Sequence, residues 1–170
     1  MSDIVLDGFS NPLRFSIHSN SQFIPIRNKL KQESIVPMAD SVKRVFICGS
    51  ALRGQPDHQN LQSATFAGEA KTAPKYRLHA VKDGWHPGIY EAESGENGIS
   101  IPGEIYELTL EQYDYLVSTE PPDMYPAEVT LDDGGSAIAM LYPRKLIEEG
   151  GWPDISDIGG WAAYKKSTQS

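Results

Sequence analysis

The feature that most restricts the fold is the order of its secondary-structure patterns. A run of short strand patterns begins at residue 44, and helical patterns come late. The first pattern, at 44–48, is a continuous apolar run that ends in Gly49-Ser50, as a buried strand followed by a tight turn does. Strands and helices do not alternate, which disfavours a Rossmann-type parallel sheet, so the sequence predicts the α+β class with a mixed, curled sheet. Further strand patterns lie at 76–81, 88–90, 99–108 (with a Pro-Gly interruption that predicts a bulge or a sheet edge), and in a hairpin formed by 128–131 and 137–142.

One helix is strongly marked. Thr109 and Gln112 have the spacing of a capping box, which predicts a helix over 109–119 with Thr109 as its N-cap. Apolar residues recur on one face, and Pro121-Pro122 ends the pattern because proline has no N–H to donate. Two weaker helices are expected at 144–149 and 161–166.

The first 40 residues differ in character from the rest. They are rich in Ser, Asn, Gln and Pro and show no sustained hydrophobic period, which predicts a flexible N-terminal extension over 1–40 and a domain over 41–170. The alternative is an ordered arm whose apolar residues, such as Phe15 and Phe23, pack on the domain. No apolar run approaches the roughly 20 residues that span a bilayer, and no secretory signal pattern is visible, so a cytoplasmic protein is expected.

The charge of the chain limits its partners. The formal charge is −8, and residues 1–43 hold 5 basic and 4 acidic residues, which leaves 10 basic and 19 acidic residues in 44–170. An acidic domain repels phosphate backbones at long range, so nucleic acids and anionic membranes are poor partners. A small carboxylate-bearing substrate is compatible with this charge, because backbone dipoles act at short range. A single Cys excludes a disulfide framework, and the absence of HxH and HExxH spacing argues against a zinc site. No Walker loop or dinucleotide fingerprint is present, so the sequence predicts no metal and no cofactor.

The turn at 48–54 is the first candidate for a binding site. A strand that ends in a glycine-containing turn can direct several backbone N–H groups into one concavity, which binds a carboxylate or an oxyanion without a charged side chain. The alternative is an ordinary strand-to-loop turn. Cys48 ends a buried strand with no base near it in sequence, so a core role is expected rather than a nucleophilic one. The predicted substrate-binding residues of the turn are Cys48, Gly49, Ser50, Ala51, Leu52 and Gly54.

Glu120 is the candidate catalytic residue. It stands where the strongest helix ends, and the negative end of the helix dipole disfavours its charged form. Partial burial would raise its pKa further, towards the range where a carboxyl group accepts and returns a proton at neutral pH. The alternative is a solvated glutamate at a helix terminus. His58, in the loop after the glycine turn, is a second candidate for the pocket wall.

Four segments together resemble a known family. The turn at 48–54, the Gly-Glu-Ile-Tyr strand at 103–108, the helix end at 115–120 and the following Tyr125 are similar to the gamma-glutamylcyclotransferase-like superfamily. The stretches 71–78 and 154–164 resemble the allophanate hydrolase C-terminal domain, a branch of that superfamily. The resemblance covers about residues 44–166.

The resemblance implies a small mixed β-barrel with flanking helices. It also implies that the glycine turn binds the substrate's glutamyl carboxylate, that Glu120 is the general acid/base, that Tyr125 lines the site, and that the product is 5-oxoproline. The chain departs from the family pattern at Cys48, where Tyr is usual, at Ala51, where Leu is usual, and at Pro121, where Gly is common.

Two other functions stay open at this stage. In the allophanate branch a small carboxylated amide is decarboxylated or handled, the helix-end Glu is typically absent, and a His follows the glycine turn, as His58 does here. That branch implies an amidase partner. The third possibility is a non-catalytic module that binds a small carboxylate. A homodimer is compatible with each of the three.

Overall fold

The computed structural model describes residues 41–169, so the expected N-terminal extension lies outside the described residues. The strands are β1 Lys43–Ile47, β2 Thr65–Lys71, β3 Tyr76–Val81, β4 His86–Glu91, β5 Pro102–Leu108, β6 Tyr125–Thr130 and β7 Ser136–Leu141. The helices are α1 Leu110–Thr119, α2 Arg144–Gly150 and α3 Trp161–Thr168, with short 3-10 turns at His58–Leu61 and Ser156–Ile158. None of the helices in this part of the chain is long and apolar enough to cross a membrane.

The strands form one five-stranded sheet and one two-stranded ribbon. The order in the sheet is β2-β5-β1-β7-β6, and β3 pairs with β4 in the ribbon. β1 pairs in parallel with β7 and antiparallel with β5, so the sheet is mixed, as the sequence predicts. The α+β class with flanking helices is confirmed.

The sheet is curled but is not a closed barrel, which corrects that part of the expectation. Within residues 41–169, its two edge strands, β2 and β6, meet at their carboxyl ends, at an isolated bridge between Thr72 and Leu131. A barrel requires hydrogen bonding along the whole seam. Here the seam closes at one point.

The central strand β1 explains why 44–48 reads as a continuous apolar run. Val45 and Ile47 pack into the core beneath α1, whereas Phe46 and Cys48 pack into the core between the sheet and the ribbon. A strand buried on both faces has no polar alternation. The turn that follows β1 therefore starts from a rigid position in the middle of the sheet.

The structure sharpens several sequence expectations. The capping box of α1 is present: the Gln112 backbone N–H donates to Thr109 Oγ1 at 3.2 Å, and the Thr109 N–H donates to Gln112 Oε1 at 2.9 Å. β5 begins at Pro102, so the Pro-Gly pair marks the start of a strand. Pro102 and Gly103 pair with β2 alone, and pairing with β1 begins at Glu104, so β5 is an inner strand of the sheet. The register shift lies on β2, between Phe66 and Gly68.

Candidate functional site

The glycine turn leaves the carboxyl end of β1 and folds back on itself. The Leu52 N–H donates to the Gly49 carbonyl at 3.1 Å, and the Asp57 N–H donates to the Ser50 carbonyl at 3.0 Å. A Cβ on Gly49 would lie 2.7 Å from Pro87 Cγ, so only glycine fits between the turn and β4. Gly54 has a φ of +78°, a left-handed conformation that glycine adopts without strain.

Two adjoining pockets lie between this turn and the end of α1, and together they are called the Glu120 cavity. The first chamber has a volume of about 40 Å³ and the second about 140 Å³. Both volumes fall below the roughly 300–1,000 Å³ of clefts that hold drug-sized ligands, so the cavity suits a small compound. The two chambers share five wall residues, Ser50, Ala51, His86, Glu120 and Pro121. Cys48 and Gly49 also line the first chamber.

Two backbone donors of the turn are free. Within residues 41–169, the N–H groups of Ser50 and Ala51 have no hydrogen-bond partner, and both residues line the two chambers. The Ala51 carbonyl is occupied, because it lies 3.0 Å from His58 Nδ1. Two residues that line the cavity therefore carry unpaired backbone donors, and such donors suit a carboxylate or an oxyanion.

Glu120 lines the same cavity as Ser50 and Ala51. It is the C-cap of α1, where the backbone leaves the helix with φ −69° and ψ 147°, and its side chain is partly buried. Burial raises its pKa to about 7, with a second contribution from the negative charge of Asp57. Asp57 itself lines the second chamber. A carboxyl group with such a pKa exchanges protons at neutral pH.

Cys48 has the environment of a core residue. It is buried and belongs to the core between the sheet and the ribbon. Burial, with a smaller contribution from the charge of Glu120, raises the pKa of its thiol to about 12. The thiol is therefore protonated at neutral pH, which makes it a poor nucleophile.

A second glutamate lies at a different face of the same turn. Glu104 of β5 accepts hydrogen bonds from the Arg53 N–H at 3.2 Å, from Arg53 Nε at 2.6 Å and from the Tyr106 hydroxyl at 2.9 Å. Burial by itself would raise the pKa of Glu104, but the bonds from Arg53 and Tyr106 outweigh it and lower the pKa. Glu104 is therefore ionised, and both of its carboxylate oxygens accept hydrogen bonds from Arg53 or Tyr106.

This second glutamate borders a larger cavity of about 450 Å³. Leu52, Arg53 and Glu104 line it, and Glu120 does not. Arg53 is paired there with both Glu104 and Glu69. By volume alone, the 450 Å³ cavity would be the better ligand site. The Glu120 cavity is the better candidate for catalysis, because the residues that line it include a carboxyl group with a pKa near neutrality and two unpaired donors.

Several predicted residues lie away from the Glu120 cavity. Leu52 and Gly54 do not line it, and the Leu52 N–H is already bonded within the turn. His58 is the first residue of a 3-10 turn and braces the Ala51 carbonyl from outside the cavity. Tyr125 is 43% exposed at the start of β6 and does not line either chamber. Their roles in binding stay predictions.

The structure adds two residues that the sequence did not single out. Asp57 and His86 both line the cavity. Asp57 lies next to His58 in a loop, and His86 precedes a proline, so neither gave a periodic signal. Nowhere in residues 41–169 are three or more His, Cys, Asp or Glu side chains placed to hold a metal ion.

Comparison with known families agrees with this architecture. The family described as the allophanate hydrolase C-terminal domain matches residues 43–166. The chain belongs to this family. The domain is also related to a protein of Vibrio cholerae serotype O1 named "Putative gamma-glutamylcyclotransferase", at 30% identity over 64% of this chain and 93% of that protein. The fold is thus the gamma-glutamylcyclotransferase-like one.

Other relatives carry the domain within much longer chains. The urea amidolyase of Lachancea kluyveri is 29% identical over 81% of this chain, which spans only 8% of that protein. The solved structure of Kluyveromyces lactis allophanate hydrolase shares the fold with a TM-score of 0.68 and 24% identity, over 74% of this chain and 21% of that one. The domain therefore occurs both in multidomain enzymes and in a short protein.

Proposed function

We propose that this domain is an enzyme that cyclises a small γ-glutamyl amide or amine, with Glu120 as the general acid/base. The observation that carries the proposal is that Glu120, whose pKa is raised to about 7, lines the same cavity as Ser50 and Ala51, whose N–H groups are unpaired. The relationship to a short protein named as a cyclotransferase supports the same reaction class.

The proposed reaction is an intramolecular transfer. The substrate's α-amine nitrogen attacks its own γ-carbonyl carbon, and a new C–N bond closes a five-membered ring. The Glu120 carboxylate takes a proton from the attacking nitrogen and gives it to the nitrogen of the leaving amine as the old C–N bond breaks. The products are 5-oxoproline and a free amine. The Ser50 and Ala51 N–H groups hold the substrate's carboxylate.

The raised pKa suits both halves of this cycle. Above a pH of about 7 the side chain is mostly a carboxylate that accepts a proton, and its conjugate acid is strong enough to protonate a leaving amine. A glutamate with an ordinary pKa would be a weaker base. The mechanism therefore predicts a rate that increases as the pH rises through about 7.

The substitution Glu120→Gln tests the proposal. Release of 5-oxoproline from a panel of γ-glutamyl amines and glutathione, followed by mass spectrometry, should fall by about 10²–10⁴-fold, the usual contribution of a positioned acid/base. The matched control is Glu107→Gln, on the exposed face of β5, which should keep its turnover. Unchanged turnover in Glu120→Gln would refute the assignment. A domain that binds these compounds and releases no 5-oxoproline would be a binding module instead.

A second candidate function follows from the family match over residues 43–166. In the allophanate manner, the domain would decarboxylate or otherwise handle a small carboxylated amide, and an amidase would be its partner. This function predicts that His58→Ala lowers the rate of carbon dioxide release from allophanate, whereas Glu120→Gln does not. Under the cyclotransferase function, His58→Ala acts only by shifting Ala51, so it should lower the rate of 5-oxoproline release less than Glu120→Gln does.

A further inference from the structure

His86 is a buried histidine with one unused nitrogen. It is the first residue of β4, its side chain is 1% exposed, and it lines both chambers of the Glu120 cavity. Its ring packs against Trp85 and Tyr142, with both pairs of ring centroids 5.3 Å apart. The ring is therefore held in place by its neighbours.

The hydrogen bonding of the ring defines what the unused nitrogen can do. His86 Nδ1 lies 2.9 Å from the Pro87 carbonyl oxygen, which can only accept, so Nδ1 carries the proton. Burial lowers the pKa of His86, and the nearby charges of Lys82 and Asp123 act in opposite directions. The ring is then neutral, and Nε2 has a lone pair.

Nε2 has no hydrogen-bond partner in residues 41–169. Buried polar atoms are normally paired, because leaving one unpaired costs free energy. Ser50 and Ala51, whose N–H groups are unpaired, line the same cavity. Residues with unpaired donors and a residue with a buried, unpaired acceptor thus border one cavity.

We propose that His86 Nε2 accepts a hydrogen bond from an N–H group of the ligand whose carboxylate lies on the Ser50 and Ala51 amides. The site then selects small carboxylates that carry an amino group and discriminates against those that lack one. This inference deepens the proposed function: with a γ-glutamyl substrate, the N–H belongs to the attacking amine, and His86 positions that nitrogen beside Glu120.

Two probes that differ only in the amino group test the inference by binding alone. L-Glutamate and glutarate have the same carbon chain and the same two carboxylates, and only L-glutamate has an N–H donor. Calorimetric titration of the full chain should give a Kd for L-glutamate about tenfold or more below that for glutarate. Equal affinities, or no binding of either probe, would overturn the inference.

Two variants separate the acceptor from the structural role of the ring. His86→Asn keeps a donor near the place of Nδ1 and removes the acceptor, so the preference for L-glutamate should disappear while glutarate binding is kept. His86→Gln places an amide near Nε2 and should keep part of the preference. An unchanged preference in His86→Asn would mean that Glu120 alone holds the amino group, and an equal loss of both probes would mean a purely structural role. Either result overturns the inference.

A measurement on the unmodified protein covers the case in which a variant does not fold. The nitrogen-15 resonance of His86 Nε2 should shift when L-glutamate is added and stay in place with glutarate. Identical responses to the two probes would contradict the inference. The outcome is independent of turnover, so a domain that shows this shift and releases no 5-oxoproline would retain the binding role of His86 and lose the cyclotransferase function.

Discussion

Glu104 and Glu120 border the same turn, and their surroundings have opposite effects on them. Glu104 is 8% exposed and accepts three hydrogen bonds, from Arg53 and Tyr106, and its pKa is lowered. Glu120 is partly buried beside another carboxylate, and its pKa is raised to about 7. Removal from water raises the pKa of both, and the partners decide the outcome. Burial alone therefore does not identify a catalytic carboxyl group.

The same substitution at the two sites should change stability in opposite directions, and the larger effect is expected at Glu104. Glu104→Gln removes the charge that pairs with Arg53 and places an amide N–H group among donors. We expect the free energy of unfolding at pH 8 to fall by about 2–3 kcal/mol, below the full cost of breaking a buried ion pair because Arg53 is half exposed. Chemical denaturation measures this change.

The pH dependence of that loss follows from the lowered pKa. The charged form of Glu104 stabilises the fold above the unfolded pKa of 4.5, and the contribution is lost as the pH falls through the folded pKa. The difference between Glu104→Gln and the unmodified protein should therefore shrink in acid. An equally stable variant at pH 8 would show that the three hydrogen bonds contribute nothing net.

Glu120→Gln should have the opposite sign and a somewhat smaller size. The folded pKa of about 7 exceeds the unfolded value of 4.5, so the unmodified protein loses stability as the pH rises between these values. The full shift corresponds to about 3 kcal/mol, and partial exposure reduces the expected gain of the variant at pH 8 to about 2 kcal/mol. At pH 4 the two proteins should be equally stable.

Thermal melts of both proteins at pH 4 and pH 8 would check this sign. A variant that is less stable at pH 8 would mean that Glu120 has a partner and an ordinary pKa, which would remove the basis for its catalytic role. A variant that is more stable and inactive would show that stability is given up at this position for function.

The fold was more predictable from the sequence than the site was. The capping box of α1 and the two-sided apolar run of β1 are local signals, and both elements form as expected. β2 gave no signal, because it contains Gly68 and several exposed residues and owes its structure to pairing with β5. Local sequence patterns predict elements whose own residues favour a helix or a strand. They miss strands that form only because a neighbouring strand pairs with them.

The residues of the site also divide into those that a local pattern predicts and those that only tertiary packing reveals. Glu120 and the glycine turn were identifiable because a helix end and a Gly-rich turn have local signatures. Asp57 and His86 reach the cavity only through tertiary packing, on a loop and on the first residue of β4. The commitment of the Arg53 N–H to Glu104 depends on a contact between residues 51 positions apart, which no local pattern encodes.

The smallest effect, a change in the pKa of Glu120, is expected from Asp57→Asn. This variant removes the carboxylate beside Glu120, a neighbour for which Glu104 has an arginine instead. Removing this negative charge should lower the pKa of Glu120 from about 7 but keep it above 4.5, since burial is the larger cause of the shift. We expect a change of less than about 1 pH unit. A carbon-13 titration of the Glu120 carboxyl group measures it without reference to any substrate, and Asp114→Asn, on the exposed face of α1, is the control that should leave the pKa unchanged. If both variants lowered the pKa equally, the net charge of the domain would be responsible, and if neither did, burial alone would set the pKa. If only Asp57→Asn lowered the pKa of Glu120, the charge of Asp57 would be one cause of the raised pKa. The two glutamates would then differ in the charge beside them, a carboxylate at Glu120 and an arginine at Glu104.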